Sequence, residues 1–175
     1  MNQRQLETLK KNNDESRDFV RSCLSFALTI MLKDNNNLTV SRLCSLAGVS
    51  RTAFYRNFSS VEDVLEDGLK DISLSMAQHI TTDVYENWLL VFSTVEKNMD
   101  YFEAIVQAGF EHKIYDVFMS LLPKDEDNNN IQAIWLSLFY TYMVRWIKER
   151  KPKKVEEAAR MAYKYTKTIP LVNVE

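Results

Sequence analysis

Thr39-Val-Ser-Arg-Leu-Cys-Ser-Leu-Ala-Gly-Val-Ser-Arg-Thr-Ala-Phe-Tyr-Arg-Asn-Phe58 is the stretch that decides the fold. Thr39 can accept hydrogen bonds from the first free amides of a helix, and the apolar residues behind it, Val40, Leu43, Cys44 and Leu46 or Ala47, recur at helical spacing. Gly48 supplies the left-handed conformation that a tight exit needs, and Val49 turns inward after it. Ser50 then caps a second short helix, Arg51 to Asn57, held to the first by Phe54 and Phe58. Two short helices joined by a Gly-containing turn make a helix-turn-helix. Ser60, three residues before Asp63, forms a capping box and opens a longer helix through Val64, Leu65, Leu69, Ile72 and Met76.

Upstream, Phe19, Cys23, Phe26, Ala27, Ile30 and Met31 predict a first helix from about Glu15 to Lys33 with one buried stripe. Asn12 and Glu15 are placed to cap it, and Asp34-Asn-Asn-Asn37 to end it. The whole chain of 175 residues has room for one domain or two small ones, and its composition is that of a globular protein. It has only three glycines and three prolines, too few for a turn-rich sheet protein. Gly48, Gly68 and Gly109 are also too far apart to build a phosphate-cradling loop. An all-α chain remains. Residues 1–60 carry nine Lys+Arg against five Asp+Glu, and residues 61–175 carry 13 against 19, so a basic N-terminal third sits on an acidic remainder. That asymmetry suits a nucleic-acid-facing module.

Cys23 and Cys44 fall on apolar helical faces, which suits free thiols and a cytoplasmic protein. The polar start, Met1-Asn-Gln-Arg-Gln, lacks the pattern of a signal peptide or a myristoylation site. The longest uncharged run, Asn128 to Val144, is too short and too polar for a membrane span, so no membrane partner is expected.

The segment from Thr39 to Phe58, with Ser60-Val-Glu-Asp-Val-Leu65 after it, resembles the DNA-binding domain of the TetR/AcrR family of bacterial transcription regulators. Ala47-Gly48-Val49-Ser50, then Tyr55 and Phe58, then a capped fourth helix carry the resemblance. It implies two parts, a helix-turn-helix DNA-binding domain over residues 1–75 and a helical effector-binding and dimerisation domain over 76–175. The residue chemistry agrees with a DNA role. A helix entering the major groove needs small or polar residues at its start and bulky apolar ones behind. Arg51, Thr52 and Ala53 meet the first need, and Phe54 and Phe58 the second. Arg51 or Arg56 can pair with guanine, and Ala53 or the Thr52 methyl can touch thymine. Ser50, Tyr55 and Asn57 read as phosphate donors. Thr39 and Ser41 match positions that approach the backbone or a base edge in the family. Val61 stands where the family usually has a phosphate-binding Lys; backbone N–H groups at that helix start are expected to supply a weaker contact.

Downstream, helices are expected near 83–97, 99–109, 111–122, 129–150 and 153–168, separated by Pro123, the Asp125 to Asn130 loop and Pro152. The helix through Ile131 to Ile147 carries one stripe at Ile131, Ile134, Trp135, Leu138, Phe139, Tyr142, Met143 and Trp146, and a second at Leu136, Tyr140, Val144 and Ile147. A helix apolar nearly all round is buried on more than one side. The resemblance implies a homodimer through the last two helices, which places Leu136, Tyr140, Val144, Ile147, Val155, Ala159, Ala162 and Tyr163 at its interface. It also implies a pocket for an apolar or aromatic small-molecule effector, for which Trp88, Phe92, Tyr101, Phe102, Phe110, Tyr115, Phe118, Trp135, Phe139 and Tyr142 are candidate lining residues. The same aromatics also serve as ordinary core.

An enzyme needs a constellation that this chain does not spell. His79 and His112 belong to no metal-binding or catalytic motif, and His79 with Asp83 reads as a surface pair. Six basic residues between Arg145 and Lys154 read as a solvated helix end. The sequence therefore points to a DNA-binding transcription regulator with no metal and no cofactor, and the resemblance implies a homodimeric repressor that binds a palindromic double-stranded DNA operator through residues 39–58 and is released by the small-molecule effector. The alternative is an adaptor or activator of the same fold controlled by a protein partner.

Overall fold

The computed structural model describes residues 3–34, 38–121, 129–149 and 154–167, with side chains from residue 16 onward except Asn129 and Gln132. Pro123 and Pro152, expected as separators, lie outside the described residues, as do Asn35 to Asn37. The described residues form nine helices: α1 (Gln3–Lys33), α2 (Val40–Ala47), α3 (Arg51–Tyr55), α4 (Val61–Ala77), α5 (Val84–Lys97), α6 (Met99–Gln107), α7 (Glu111–Leu121), α8 (Asn129–Lys148) and α9 (Val155–Thr166). The all-α expectation holds. The chain divides into two compact units, Met1–Gly68 and Leu69–Glu175, so the division falls inside α4, ahead of the expected residue 75.

α1 corrects the sequence reading twice. Its backbone is helical from Gln3, through the Asn12–Glu15 segment expected to start it, because no Gly or Pro interrupts residues 3–33. The buried stripe is also rotated: Ala27 and Met31 are buried as expected, but together with Leu24, Leu28 and Leu32, whereas Phe19 and Phe26 are 70% and 72% exposed, Ile30 is exposed and Cys23 is half-buried. No charge falls between Ser22 and Leu32, so periodicity permits either face. Arg21 selects between them. It lies on the Leu24–Leu28 side of the helix, where its Nε donates to Asp67 Oδ2 at 2.9 Å and its second nitrogen to Oδ1. This two-pronged ion pair joins α1 to α4 and fixes the rotation of α1.

In the second unit α5 packs along α9, and α8 packs on α6 and α7. Gly109, at φ +80°, ends α6 as only glycine does at little cost, and the Phe110 amide turns back to the Ile105 carbonyl at 3.0 Å. Trp88 anchors the core. Its ring stacks on Phe92 at 5.9 Å and meets Trp135, Phe139 and Tyr142, while its Nε1 donates to the buried Thr166 Oγ1 at 2.7 Å. The Thr166 hydroxyl in turn donates a hydrogen bond to the Ala162 carbonyl at 2.8 Å, so this polar pair is satisfied inside an apolar core.

Lys148 Nζ donates to Glu111 Oε1 at 2.9 Å and ties the end of α8 to the start of α7. The hydrogen bond outweighs partial burial and holds the Glu111 carboxyl below its ordinary value. A lowered folded-state pKa gives stability that is present above the unfolded value of about 4.3 and is lost as pH falls through the folded one. Both side chains remain partly exposed, so the pair contributes only about 0.5 kcal/mol. Glu111→Gln is expected to flatten this part of the stability profile below about pH 4, read by circular dichroism during acid titration.

Candidate nucleic-acid interface

The helix-turn-helix forms as its residues dictate. Thr39 Oγ1 accepts from the Arg42 amide at 3.4 Å and starts α2; Gly48, at φ 65°, ends it with its N–H turned back to the Ser45 carbonyl. Leu43 and Cys44 are the buried residues of α2. Leu46 points outward, which settles the choice between Leu46 and Ala47 in favour of Ala47. Burial also pushes the Cys44 thiol pKa up, which keeps it protonated and unreactive.

Ser50 Oγ accepts from the Ala53 amide at 3.1 Å and starts α3. Phe54, fully buried, fixes α3 to the core with its ring edge-on to Tyr55 at 5.2 Å and tilted to Phe58 at 6.1 Å. With Phe54 inward, Arg51, Thr52, Tyr55 and Arg56 face outward, and Ala53 is half-buried. Thr39, Ser41 and Ser50 are exposed as well. Both cap hydroxyls use an oxygen lone pair within the chain and keep their protons for donation.

α3 is shorter than expected, because Asn57 stops it. The Asn57 side-chain Nδ2 donates to the Ala53 carbonyl at 2.7 Å, and its backbone N–H donates to the Phe54 carbonyl at 2.8 Å. The amide group expected to serve as a phosphate donor is thus engaged within the chain.

The start of α4 also departs from expectation. Asp63 Oδ2 accepts from the Ser59 and Ser60 amides at 2.8 and 3.2 Å, while Ser60 Oγ accepts from the Asp63 amide at 3.1 Å. The capping box forms, but it puts a carboxylate where a phosphate would be received. Val61 lies in the core. The basic residues sort by partner: Arg21 is held by Asp67 and Arg42 stands 3.9 Å from Asp34, whereas Arg17, Arg51 and Arg56 have no carboxylate partner among the described residues. Sequence reasoning missed Arg17. It lines a hollow with Ser16 and Val20 of α1 and with Ala53, Arg56 and Asn57.

In the second unit, Trp88, Phe118, Trp135, Phe139 and Tyr142 join one ring-on-ring cluster with Phe92 and Trp146. Tyr101 contacts Phe102, Phe110 contacts His112, and Tyr115 contacts Tyr140. The residues expected at a dimer interface differ in their burial within the chain. Leu136, Val144, Ile147, Val155, Ala159 and Ala162 are buried by their own chain, because α8 packs on α6 and α7 and α9 packs on α5. Tyr140 is half-buried and Tyr163 exposed. The outward apolar residues of α8 are Ile134 and Leu138, and those of α9 include Met161 and Tyr165.

The fold is similar to the crystal structure of a TetR transcriptional regulator from Streptococcus agalactiae 2603V. The TM-score is 0.62 at 17% sequence identity, over 94% of this chain and 99% of that one. The chain has that all-α fold. No family model and no curated protein matches it. Among the described residues, no helix is long and apolar enough to cross a membrane, and no group of three or more His, Cys, Asp or Glu could hold a metal ion.

Proposed function

We propose that the chain is a DNA-binding transcription regulator, a homodimeric repressor that reads a palindromic operator through residues 39–58 and is released by a small molecule bound in its second unit. The observation that carries this reading is α3, whose residues Arg51, Thr52 and Tyr55 are exposed while Phe54 anchors the helix from behind, and whose Arg51 has no carboxylate partner among the described residues. An exposed guanidinium with no carboxylate to neutralise it is a ready partner for a guanine edge or a phosphate. A two-fold dimer supplies the second recognition helix for the other half-site. Ile134 and Leu138 on α8, exposed and apolar, support pairing through that helix.

Control by a protein partner is the second reading. It is favoured by the close ring-on-ring packing around Trp88, which serves as core whether or not a ligand binds. Heat-denaturation midpoints of the full chain, measured across a panel of apolar aromatic compounds, separate the two. A ligand of the second unit raises the midpoint and releases DNA at the same concentration; a panel with no such compound favours the protein partner.

A further inference from the structure

We propose that the hollow between α1 and α3 seats a DNA backbone phosphate, held by Arg17 and Arg56. The proposal rests on the DNA-binding reading and deepens it by assigning a backbone grip outside the helix-turn-helix.

Arg17 and Arg56 line the same hollow, and neither has a carboxylate partner among the described residues. Two like charges on one concave surface repel each other, and an anion between them relieves that repulsion. The neighbouring Arg21 and Arg42 are each already engaged by an aspartate, so they do not compete for it.

Asn57 commits its Nδ2 to the Ala53 carbonyl, which leaves its Oδ1 buried with no donor. A guanidinium turned into the hollow satisfies that oxygen with one N–H and keeps further N–H groups for a phosphate. The Ser16 hydroxyl adds a neutral donor on the α1 side.

Arg51 opens α3 and Arg56 closes it, about 7.5 Å apart at 1.5 Å per residue. A helix in the major groove, about 12 Å wide, can thus meet base edges at one end and the phosphate wall at the other. The start of α4 is blocked by the Asp63 carboxylate, so the grip falls to the α1 side.

Fluorescence anisotropy with the full chain tests this, using a labelled duplex from its own upstream region and a random duplex across a salt series. Arg17→Gln is expected to lower the slope of log affinity against log salt by about one, and affinity near 0.1 M salt by about tenfold, equally for both duplexes. Arg17→Lys keeps the slope, and Arg17→Gln with Arg56→Gln lowers it by about two. Arg17 is exposed, and an unchanged circular dichroism spectrum confirms that the variant is folded. A wild-type slope in Arg17→Gln, or a loss confined to one duplex, overturns the phosphate seat and leaves the DNA reading standing. A wild-type chain that shows no salt-dependent DNA binding overturns both.

Discussion

Phe54→Ala is expected to destabilise the Met1–Gly68 unit by about 3 to 5 kcal/mol, the usual range for deleting a fully buried ring. The cost is large for a structural reason. α3 is a single short helix, Arg51–Tyr55, and a helix of that length has no stability of its own. Phe54 is its one buried residue, so the ring that fills the core also sets the direction in which Arg51 and Tyr55 point. Removing it leaves a cavity beside Phe58 and frees the helix to reorient. Amide hydrogen exchange over residues 40–58 reads the effect directly, with protection expected to fall towards that of an unfolded segment. The tryptophans, Trp88, Trp135 and Trp146, all lie in the second unit and report on that unit instead. Unchanged exchange in Phe54→Ala would contradict the role assigned to this ring.

Arg51→Ala is expected to act on recognition and to leave the fold in place. Arg51 is the first residue of α3, exposed and without a carboxylate partner among the described residues, so its removal leaves no buried group unsatisfied. A bidentate contact with guanine is worth about 1 to 3 kcal/mol, so affinity for the preferred site is expected to fall roughly 5- to 150-fold. The loss should be much smaller on random DNA, since base contacts specify and phosphate contacts only position. Arg51→Lys keeps the charge but not the planar fork, and should restore general DNA affinity without restoring preference. Competition binding with preferred and random duplexes measures the split. An equal loss on both would reassign Arg51 to the phosphate backbone.

Much of the architecture is legible in the sequence because its signals are local. Thr39, Gly48, Ser50 and Ser60 sit at helix ends and form the caps their side chains dictate. The five later helices fall close to their expected bounds, with Asp83 capping α5 and Gly109 following α6. What the sequence conceals is rotation. α1 offers two apolar stripes in an uncharged segment, and only the distant partner Asp67, engaged by Arg21, determines which stripe turns inward. α8 is apolar on most sides, so its second stripe reads as a face for another subunit although α6 and α7 cover it. The candidate site shows the same division. The exposure of Arg51, Thr52 and Tyr55 follows from Phe54 pointing inward, whereas Arg17 joins Arg56 only through the packing of α1 beside α3.

The central claim is that α3 of this chain reads DNA, and a footprint on its own upstream region tests it most directly. Protection is expected over two half-sites related by a two-fold axis and spaced by about one helical turn or a multiple of it. That protection should disappear in Arg51→Ala at concentrations that saturate the wild-type chain. Uniform protection along the duplex, or protection that persists in Arg51→Ala, would contradict it.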